Sequence, residues 1–232
     1  MKKILVLGNG LLGKEVINQT NWDSLNRKKD GFDITSDLNK YEKKISTYEQ
    51  VFNCIGHTDT YSNEKKPHWE INYEAVTKLV DLCNKNNIKL IHVSTDYIYS
   101  NSVSFASELD VPVHCQNWYG YTKLLADGYV QLRSKNYLLI RSTHKKSPFP
   151  YEKGWDNQVG NFDYVNIIVE IMIKLIKKNV EGIYNVGTDF KSMYQLGKRT
   201  NKNIEKVAID NLSTTPKDVS MNCNKLKTLF EK

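Results

Sequence analysis

The sequence predicts an α/β fold, a doubly wound parallel sheet with helices on both faces and a small C-terminal region. Short apolar runs alternate with segments of helical spacing, the order expected of parallel strands joined by crossover helices. A glycine-rich turn joins the first run directly to the first helix. The 232 residues suffice for one large core. We predict that this core spans residues 1–145 and that a reduced region, 146–232, returns partly to it.

The individual elements follow from local patterns in the chain. Strands are expected where continuous apolar runs indicate burial on both faces, in segments 4–7, 24–27, 51–55, 88–93, 137–140 and 182–186. Helices are expected where apolar residues recur at intervals of three and four, in segments 11–20, 67–86, 117–134, 165–176, 193–200 and 222–232. The stretch 147–161, which contains prolines and a tryptophan, is expected to be an irregular loop.

Composition narrows the classes of function. The net charge is +7, but only four of the 33 basic residues are arginine, and the lysines are spread along the chain. Nucleic-acid readers favour arginine and cluster their charge, so we expect no nucleic-acid partner. No apolar stretch approaches the ~18 residues of a membrane span, and we expect neither a secretion signal nor a membrane partner. The cysteines lack metal-site or disulfide spacing, which favours a reducing, cytoplasmic location; they are Cys54, Cys83, Cys115 and Cys223.

A glycine motif at the first strand–helix junction predicts a dinucleotide site. It has the pattern G-x-G-x-x-G and consists of Gly8, Asn9, Gly10, Leu11, Leu12 and Gly13. The first glycine allows a tight turn, the second lets the backbone approach a pyrophosphate, and the third permits close helix–strand packing. The amino terminus of the helix faces the phosphates. Chance would give roughly 0.03 such triplets in this composition, so a Rossmann-like dinucleotide site is predicted.

The residues at the end of the second strand bear on the choice of dinucleotide. An acidic residue there hydrogen-bonds the ribose 2′-hydroxyl of NAD, whereas a cation accommodates the 2′-phosphate of NADP. The predicted strand end carries Asn26 and Arg27, followed by two lysines. We therefore favour NADP(H) over NAD(H), with Arg27 as a contact. Asp33 is a second candidate, which approaches the adenine instead.

A tyrosine and a lysine one helical turn apart form the candidate catalytic pair. Tyr119 and Lys123 open a predicted helix shortly after a strand that ends in hydroxyl residues, among them Thr95. Such strand ends lie at the ligand edge of an open α/β sheet. Spacing alone carries little weight, since roughly 1.7 Tyr-x-x-x-Lys pairs are expected by chance, and others start at Tyr61 and Tyr194. Tyr61 falls in a predicted loop and Tyr194 in the C-terminal region, so only Tyr119 adjoins the sheet edge.

The chemistry of this pair suits carbonyl reduction. An unperturbed tyrosine, with a pKa near ~10, is a poor acid–base group at neutral pH. A neighbouring ammonium and the positive nicotinamide of an oxidised cofactor stabilise the phenolate and lower that pKa. We predict that Tyr119 protonates a carbonyl oxygen while the cofactor delivers a hydride. Lys123 would also bind the nicotinamide ribose, and Thr95 would hold the carbonyl.

With these motifs the chain resembles the extended short-chain dehydrogenase/reductase superfamily and, within it, the dTDP-4-dehydrorhamnose reductase family. The matching segments are G-N-G-L-L-G at 8–13, F-N-C-I-G-H-T at 52–58, I-N-Y-E-A-V at 71–76, V-S-T-D-Y-I-Y at 93–99 and Y-G-Y-T-K at 119–123, with later echoes at 138–142, 182–186 and 222–226. Such reductases use NADPH or NADH to reduce the 4-keto group of a nucleotide-linked 6-deoxy sugar. The resemblance therefore implies a nucleotide-sugar substrate, and it is compatible with a homodimer.

Motifs and resemblance together give a wider set of expected contacts. Besides the glycine motif, the expected cofactor contacts are Arg27, Asp33, Cys54, Ile55, Gly56, Asn72, Ser94, Tyr119 and Lys123. The expected substrate contacts are His57, Thr58, Asp96, Tyr97, Ser142 and Thr143. For Asn72, a buried structural role is as well supported as contact with the cofactor.

Two departures from the family leave the substrate and the activity open. The chain is shorter than family members, with the shortfall after Arg141, where the family builds its substrate lobe. A tryptophan-containing segment of the family is replaced by residues that include His144, Lys145 and Lys146. These three either contact a diphosphate or lie at the surface. A 4-epimerase and a non-catalytic dinucleotide-binding regulatory subunit remain alternative functions, whereas Tyr97, where a dehydratase carries glutamate, argues against a 4,6-dehydratase.

Overall fold

The computed structural model describes residues 2–100, 103–110, 117–210 and 213–231. Its strands are β1 (Ile4–Leu7), β2 (Asp23–Leu25), β3 (Gln50–Asn53), β4 (Lys89–Val93), β5 (Tyr137–Arg141), β6 (His144–Lys145), β7 (Lys153–Trp155), β8 (Val159–Gly160), β9 (Asp163–Tyr164), β10 (Gly182–Asn185), β11 (Lys191–Ser192), β12 (Glu205–Val207) and β13 (Asp218–Val219). Its α-helices are α1 (Leu11–Thr20), α2 (Arg27–Asp30), α3 (Asn39–Ile45), α4 (Lys65–Pro67), α5 (Ala75–Lys85), α6 (Trp118–Arg133), α7 (Val165–Lys177), α8 (Met193–Lys198) and α9 (Asn224–Glu231). A π-helical turn (His68–Glu74) joins α4 to α5, and a 3₁₀ turn (Asp96–Tyr99) follows β4. Across these ranges, no helix combines the length and the apolar character that a membrane crossing needs.

Among the described residues, six parallel strands form the central sheet, in the order β2-β1-β3-β4-β5-β10. β1 pairs with β2 on one side, where Leu7 lies opposite Leu25, and with β3 on the other, where Leu7 lies opposite Asn53. The connections therefore run in opposite directions from β1, and the loops after β1 and β3 diverge. Open α/β sheets bind their ligands at this kind of reversal. The predicted doubly wound parallel fold is confirmed.

The strands are buried on both faces, in two separate apolar layers. Leu5 and Leu7 pack in one layer with residues of α5 and α6, whereas Ile4 and Val6 pack in the other with residues of α1 and α7. This division follows from the strand geometry, in which successive side chains point to opposite faces. Because helices cover both layers, a polar residue on either face of a strand would be buried. This is why the strands read as continuous apolar runs rather than alternating ones.

The C-terminal residues first return to the central sheet and then complete a small lobe. α7 packs on the sheet, and β10 joins it as an edge strand beside β5, with Asn185 opposite Arg141. In the described part of this region, the small sheets β11-β8-β13, β12-β7 and β6-β9 build the lobe. Its own apolar cluster includes Phe149, Phe162 and Leu196. β6 follows β5 directly, so the lobe adjoins the carboxyl end of β5.

Some elements differ from the sequence-based prediction, each for a local reason. The segment 147–161 contains β7 and β8 rather than an irregular loop throughout; these strands are too short to show periodicity. β2 ends at Leu25 because the Asn26 side chain accepts the Lys29 backbone N–H and starts α2 there. α3 is unpredicted, since Ile45 is the buried residue among its seven and no apolar stripe marks it.

The described cysteines are free thiols, namely Cys54, Cys83 and Cys223. Burial raises the pKa of Cys83 to about 12 and that of Cys223 to about 11. It also raises the pKa of Cys54, which lies beside the glycine turn. These thiols are therefore protonated at neutral pH and poor nucleophiles. Cys115 lies outside the described residues.

Candidate active site

A cleft of about 460 Å³ lies at the carboxyl edge of the central sheet. Segments that follow four of the strands line it, namely 10–12 after β1, 54–56 after β3, 93–95 at the end of β4 and 142–146 after β5. Thr95, Tyr119 and Lys123 line the same cleft. The structure thus brings the glycine turn and all three candidate catalytic residues to one cavity.

The glycine turn leaves room for a pyrophosphate at the start of α1. Gly8 has a φ of +96°, which favours glycine. A Cβ on Gly13 would lie 2.3 Å from the Gly8 carbonyl oxygen, so only glycine allows this close packing. A Cβ on Gly10, in contrast, would meet nothing within 4 Å. No side chain caps α1, so its first N–H groups remain available to an anion.

Two polar groups further along the cleft also fit a dinucleotide. The Ser94 hydroxyl is buried and has no hydrogen-bond partner within the described ranges, which is unusual unless a ligand supplies one. Lys123 Nζ donates to the Val93 carbonyl oxygen at 2.5 Å. Burial lowers the pKa of Lys123 to about 8, so the ammonium is still charged at neutral pH. These groups and the open glycine turn fit a nicotinamide dinucleotide.

Tyr119 is fixed in the first turn of α6. The helix starts there because the Asn117 side chain accepts the Gly120 backbone N–H at 2.8 Å. The Tyr119 ring packs edge-on against Tyr97 and His68, with ring centroids 5.8 and 6.3 Å apart. Lys123 follows one helical turn later, so the phenol and the ammonium share one face of α6 and reach the same cleft.

Thr95 and its neighbour Asp96 form a buried polar group beneath the cleft. Thr95 Oγ1 accepts the Tyr97 backbone N–H at 3.2 Å and lies 3.3 Å from Asp96 Oδ1. Asp96 Oδ1 also accepts the Thr143 hydroxyl, while Oδ2 has no partner within the described ranges. Because Asp96 is fully buried, its pKa is raised to about 6. Asp96 thus holds two hydroxyl groups that line the cleft without lining it itself.

The raised pKa of Asp96 makes the stability of the fold depend on pH. Its folded-state pKa of about 6 exceeds the ordinary value of 3.8, so the folded state binds the proton more tightly than the unfolded state does. The resulting contribution is complete below pH ~4 and is lost as the pH rises through ~6, on the order of 3 kcal/mol. We expect Asp96→Asn to gain stability relative to the unsubstituted protein over that interval. Urea unfolding of both proteins at a series of pH values measures this difference, and a pH-independent difference would contradict the assignment.

Asn72 ties the loop after β3 to the catalytic helix. Its side chain accepts the His57 backbone N–H at 2.8 Å and donates to the His57 carbonyl at 3.0 Å. The same amide nitrogen lies 3.4 Å from the Thr122 hydroxyl on α6. These contacts favour the structural role over cofactor contact. The His57 ring packs on His68, with centroids 4.5 Å apart, and is not among the residues that line the cleft.

A second cleft, of about 430 Å³, lies behind the glycine turn. Asn9 lines it, together with Asn26 at the end of β2. Three exposed lysines also line it, Lys14, Lys28 and Lys29. None of the three makes an ion pair within the described ranges, so this cleft presents uncompensated positive charge.

Arg27 and Asp33 form an ion pair with each other rather than lining either cleft. The Thr35 backbone N–H and hydroxyl also donate to Asp33, at 2.9 and 2.7 Å. These hydrogen bonds, with a smaller contribution from Arg27, lower the pKa of Asp33. A cofactor contact through Arg27 or Asp33 would have to share or replace this pair.

Of the six predicted substrate contacts, four line the main cleft and two, His57 and Asp96, do not. Thr58, Tyr97, Ser142 and Thr143 line the main cleft. The lining residues that were not predicted are Asp59, Thr60, Tyr61, Val93, Pro150 and Tyr151. Tyr61 Oη lies 3.3 Å from Tyr97 Oη, and its ring packs against Trp155 of the lobe, which brings the loop after β3 over the cleft. Asp59, Thr60 and Tyr61 directly continue the predicted 54–58 loop, so the sequence offered a signal for them. Nothing local marks Tyr151.

Comparison with known proteins agrees with this arrangement. The sequence model described as the RmlD substrate binding domain matches residues 1–144. The chain is 25% identical over 224 residues to the spore coat polysaccharide biosynthesis protein SpsK of Bacillus subtilis, covering 80% of this chain and 73% of the relative. It is 31% identical over 114 residues to the probable low-salt glycan biosynthesis reductase Agl14 of Haloferax volcanii, covering 47% of this chain and 37% of that relative.

Solved structures show the same fold. One is dTDP-4-dehydrorhamnose reductase from Bacillus anthracis in complex with NADP, with a TM-score of 0.83 at 20% identity; the match covers 99% of this chain and 93% of that one. Another is MoeE5 in complex with UDP-glucose and NAD, with a TM-score of 0.80 at 14% identity over 99% and 92% of the two chains. The similarity therefore extends through the C-terminal lobe as well as the dinucleotide-binding half.

The fold and its cleft define an extended short-chain dehydrogenase/reductase, a class of nicotinamide-dinucleotide oxidoreductases. Within that class, the match over residues 1–144 shows that the chain belongs to the RmlD substrate binding domain family. The expected superfamily and family are thus confirmed, and the residues of the cleft fit a nicotinamide dinucleotide.

Proposed function

We propose that the protein is an NADP(H)-dependent reductase of the 4-keto group of a nucleotide-linked 6-deoxy sugar. The observation that carries this proposal is the common cleft, in which Tyr119, Lys123 and Thr95 face the same cavity as the open glycine turn. A regulatory subunit that only binds a dinucleotide would need the glycine turn but not a phenol beside a buried ammonium. The arrangement therefore favours an enzyme.

The roles of the side chains follow from their contacts. A bound nicotinamide dinucleotide would supply the hydride; the remaining tasks fall to the chain. Tyr119 donates its phenolic proton to the carbonyl oxygen of the substrate. Lys123, held at the Val93 carbonyl, stabilises the phenolate left behind. Thr95 Oγ1 is fixed by the Tyr97 N–H. Its hydroxyl donates to Asp96 over a long distance of 3.3 Å, so it can donate to a substrate carbonyl instead.

The oxidation of reduced nicotinamide, followed by absorbance, tests the proposal with dTDP-, UDP- and GDP-linked 4-keto-6-deoxy sugars. We expect NADPH consumption with at least one of them. Tight dinucleotide binding without consumption on any of these substrates would favour the regulatory alternative. A tightly held NAD that interconverts sugar epimers without net oxidation would favour the 4-epimerase.

The preference for NADP(H) is supported by the second cleft. Lys14, Lys28 and Lys29 surround it, and no carboxylate is among its described lining residues. A phosphate monoester has the charge and size that three converging ammonium groups accommodate. Arg27 is paired with Asp33, so we propose that the lysines carry more of the 2′-phosphate recognition than the arginine does.

The double substitution Lys28→Ala/Lys29→Ala tests this preference. Because hydrogen bonds to charged groups are worth more than neutral ones, we expect KM for NADPH to rise about tenfold. KM for NADH should stay unchanged, since NADH lacks the 2′-phosphate. Lys78→Ala, an exposed lysine on α5, is the matched control. An equal effect on both cofactors would contradict the assignment.

A further inference from the structure

Lys145 lines the main cleft, and its ammonium makes no hydrogen bond or ion pair with the described residues. Its backbone belongs to β6, where Lys145 lies opposite Tyr164 of β9, so the lobe holds this segment in place. The side chain is half-buried and lines the cleft beside Ser142 and Thr143. Lys146, its neighbour, is exposed and lines the same cleft. Lys145 is therefore not an ordinary solvated surface lysine.

The carboxyl group of Asp96 acts electrostatically on Lys145 but forms no ion pair with it. Asp96 Oδ1 accepts the Thr95 and Thr143 hydroxyls, and Oδ2 has no hydrogen-bond partner within the described ranges. Burial lowers the pKa of Lys145, and the charge of Asp96 only partly opposes this change. A half-buried, unpaired ammonium is unfavourable unless a ligand provides the counter-ion.

The charge of the surrounding cleft points to an anionic ligand. Lys123 and Lys146 add positive charge, whereas Asp59, which is exposed, is the acidic residue among the described lining residues. The hydroxyls of Thr95 and Thr143 meet at Asp96, and Lys145 lines the cleft two residues after Thr143, close in sequence to this group. An anion bound there would belong to the substrate rather than to the glycine turn.

We propose that Lys145 binds the diphosphate of the nucleotide-sugar substrate. The inference rests on the proposed function and deepens it by naming a residue that selects the substrate. Lys145 is in this sense a specificity-determining residue.

Binding measurements with Lys145→Met test the proposal directly. Methionine retains the length of the side chain and removes the charge, so we expect the fold and NADPH affinity to be retained and the melting temperature not to fall. dTDP, UDP and GDP are titrated into the NADPH-bound protein. We expect the dissociation constant of each diphosphate that the unsubstituted protein binds to rise about 10- to 100-fold. Lys146→Met should have a much smaller effect, because its ammonium is in water.

The proposal is overturned if Lys145→Met binds the three probes as the unsubstituted protein does, if Lys146→Met loses as much, or if the unsubstituted protein binds none of them. NADPH oxidation is measured separately on the unsubstituted protein. Loss of probe binding in Lys145→Met without any turnover on 4-keto sugars would reject the reductase and retain the oxyanion site. Turnover on a 4-keto sugar that is unchanged in Lys145→Met would reject the oxyanion site and retain the reductase.

Discussion

Tyr119→Phe is expected to lower kcat for keto reduction by about 10²- to 10⁴-fold, the usual contribution of a positioned general acid. Phenylalanine retains the ring that packs against Tyr97 and His68, so α6 and the cleft should keep their shape. Only the phenolic hydroxyl group is lost. The dissociation constant for NADPH, measured by nicotinamide fluorescence, should therefore remain unchanged while turnover falls.

The chain offers a matched control for this substitution. Tyr194 has the same spacing to a lysine, and Lys198 Nζ donates to its hydroxyl at 3.3 Å. This pair lies outside the main cleft, so Tyr194→Phe should leave kcat unchanged. If Tyr119→Phe retains the turnover of the unsubstituted protein, the proton must come from another group and the assignment of Tyr119 is wrong.

The pairs Tyr119/Lys123 and Tyr194/Lys198 have the same spacing, so spacing alone could not identify the catalytic pair. The position of Tyr119 shortly after a strand with a polar end could. The elements of the central sheet were predictable for a similar reason, because burial on both faces leaves long apolar runs and the glycine motif marks the first turn. Strand ends and helix starts converge at one edge of such a sheet, which is why Thr95, Tyr119 and Lys123 share a cleft.

The features that could not be predicted depend on contacts between distant segments. β7 and β8 pair with strands near residues 205 and 218, so their conformation is set by partners rather than by local spacing. Tyr61 lines the cleft with its ring packed against Trp155 of the lobe, a contact between distant segments. The surroundings of Lys145 likewise follow from the pairing of β6 with β9. Arg27 was predicted as a cofactor contact from its charge and position, but local spacing could not predict its ion pair with Asp33.

A fully buried ion pair connects the catalytic helix to the central sheet. Arg141 of β5 donates from Nε to Asp127 Oδ2 at 3.0 Å and from Nη2 to Asp127 Oδ1 at 2.9 Å. Its third nitrogen donates to the Tyr99 hydroxyl at 2.6 Å, and Tyr99 donates in turn to Asn185 of β10. Both charged side chains are 1% exposed. The pair therefore fixes α6 through a network in which every partner is buried.

Asp127→Asn should lower the free energy of unfolding by about 3–5 kcal/mol, because it leaves the buried Arg141 guanidinium uncompensated. For a chain of this size, that corresponds to a melting temperature lower by about 2–4 °C for each kcal/mol. Urea unfolding measures the loss. Glu170→Gln, which removes an exposed pair with Lys174, should cost less than about 1 kcal/mol.

A second variant separates the charge from the packing. Asp127→Leu/Arg141→Met replaces both partners by apolar side chains, a change that is often neutral for a buried pair, so it should recover most of the stability lost in Asp127→Asn. Stability as low as that of the single variant would show that the geometry of the network, not the unpaired charge, dominates. Asp127 also lies one turn from Lys123 and raises its pKa against the effect of burial. In both variants we therefore expect the alkaline limb of the pH profile of turnover to move to lower pH. This shift should occur even in the double variant that recovers its stability. It would tie the buried pair to the charge of the proposed catalytic lysine.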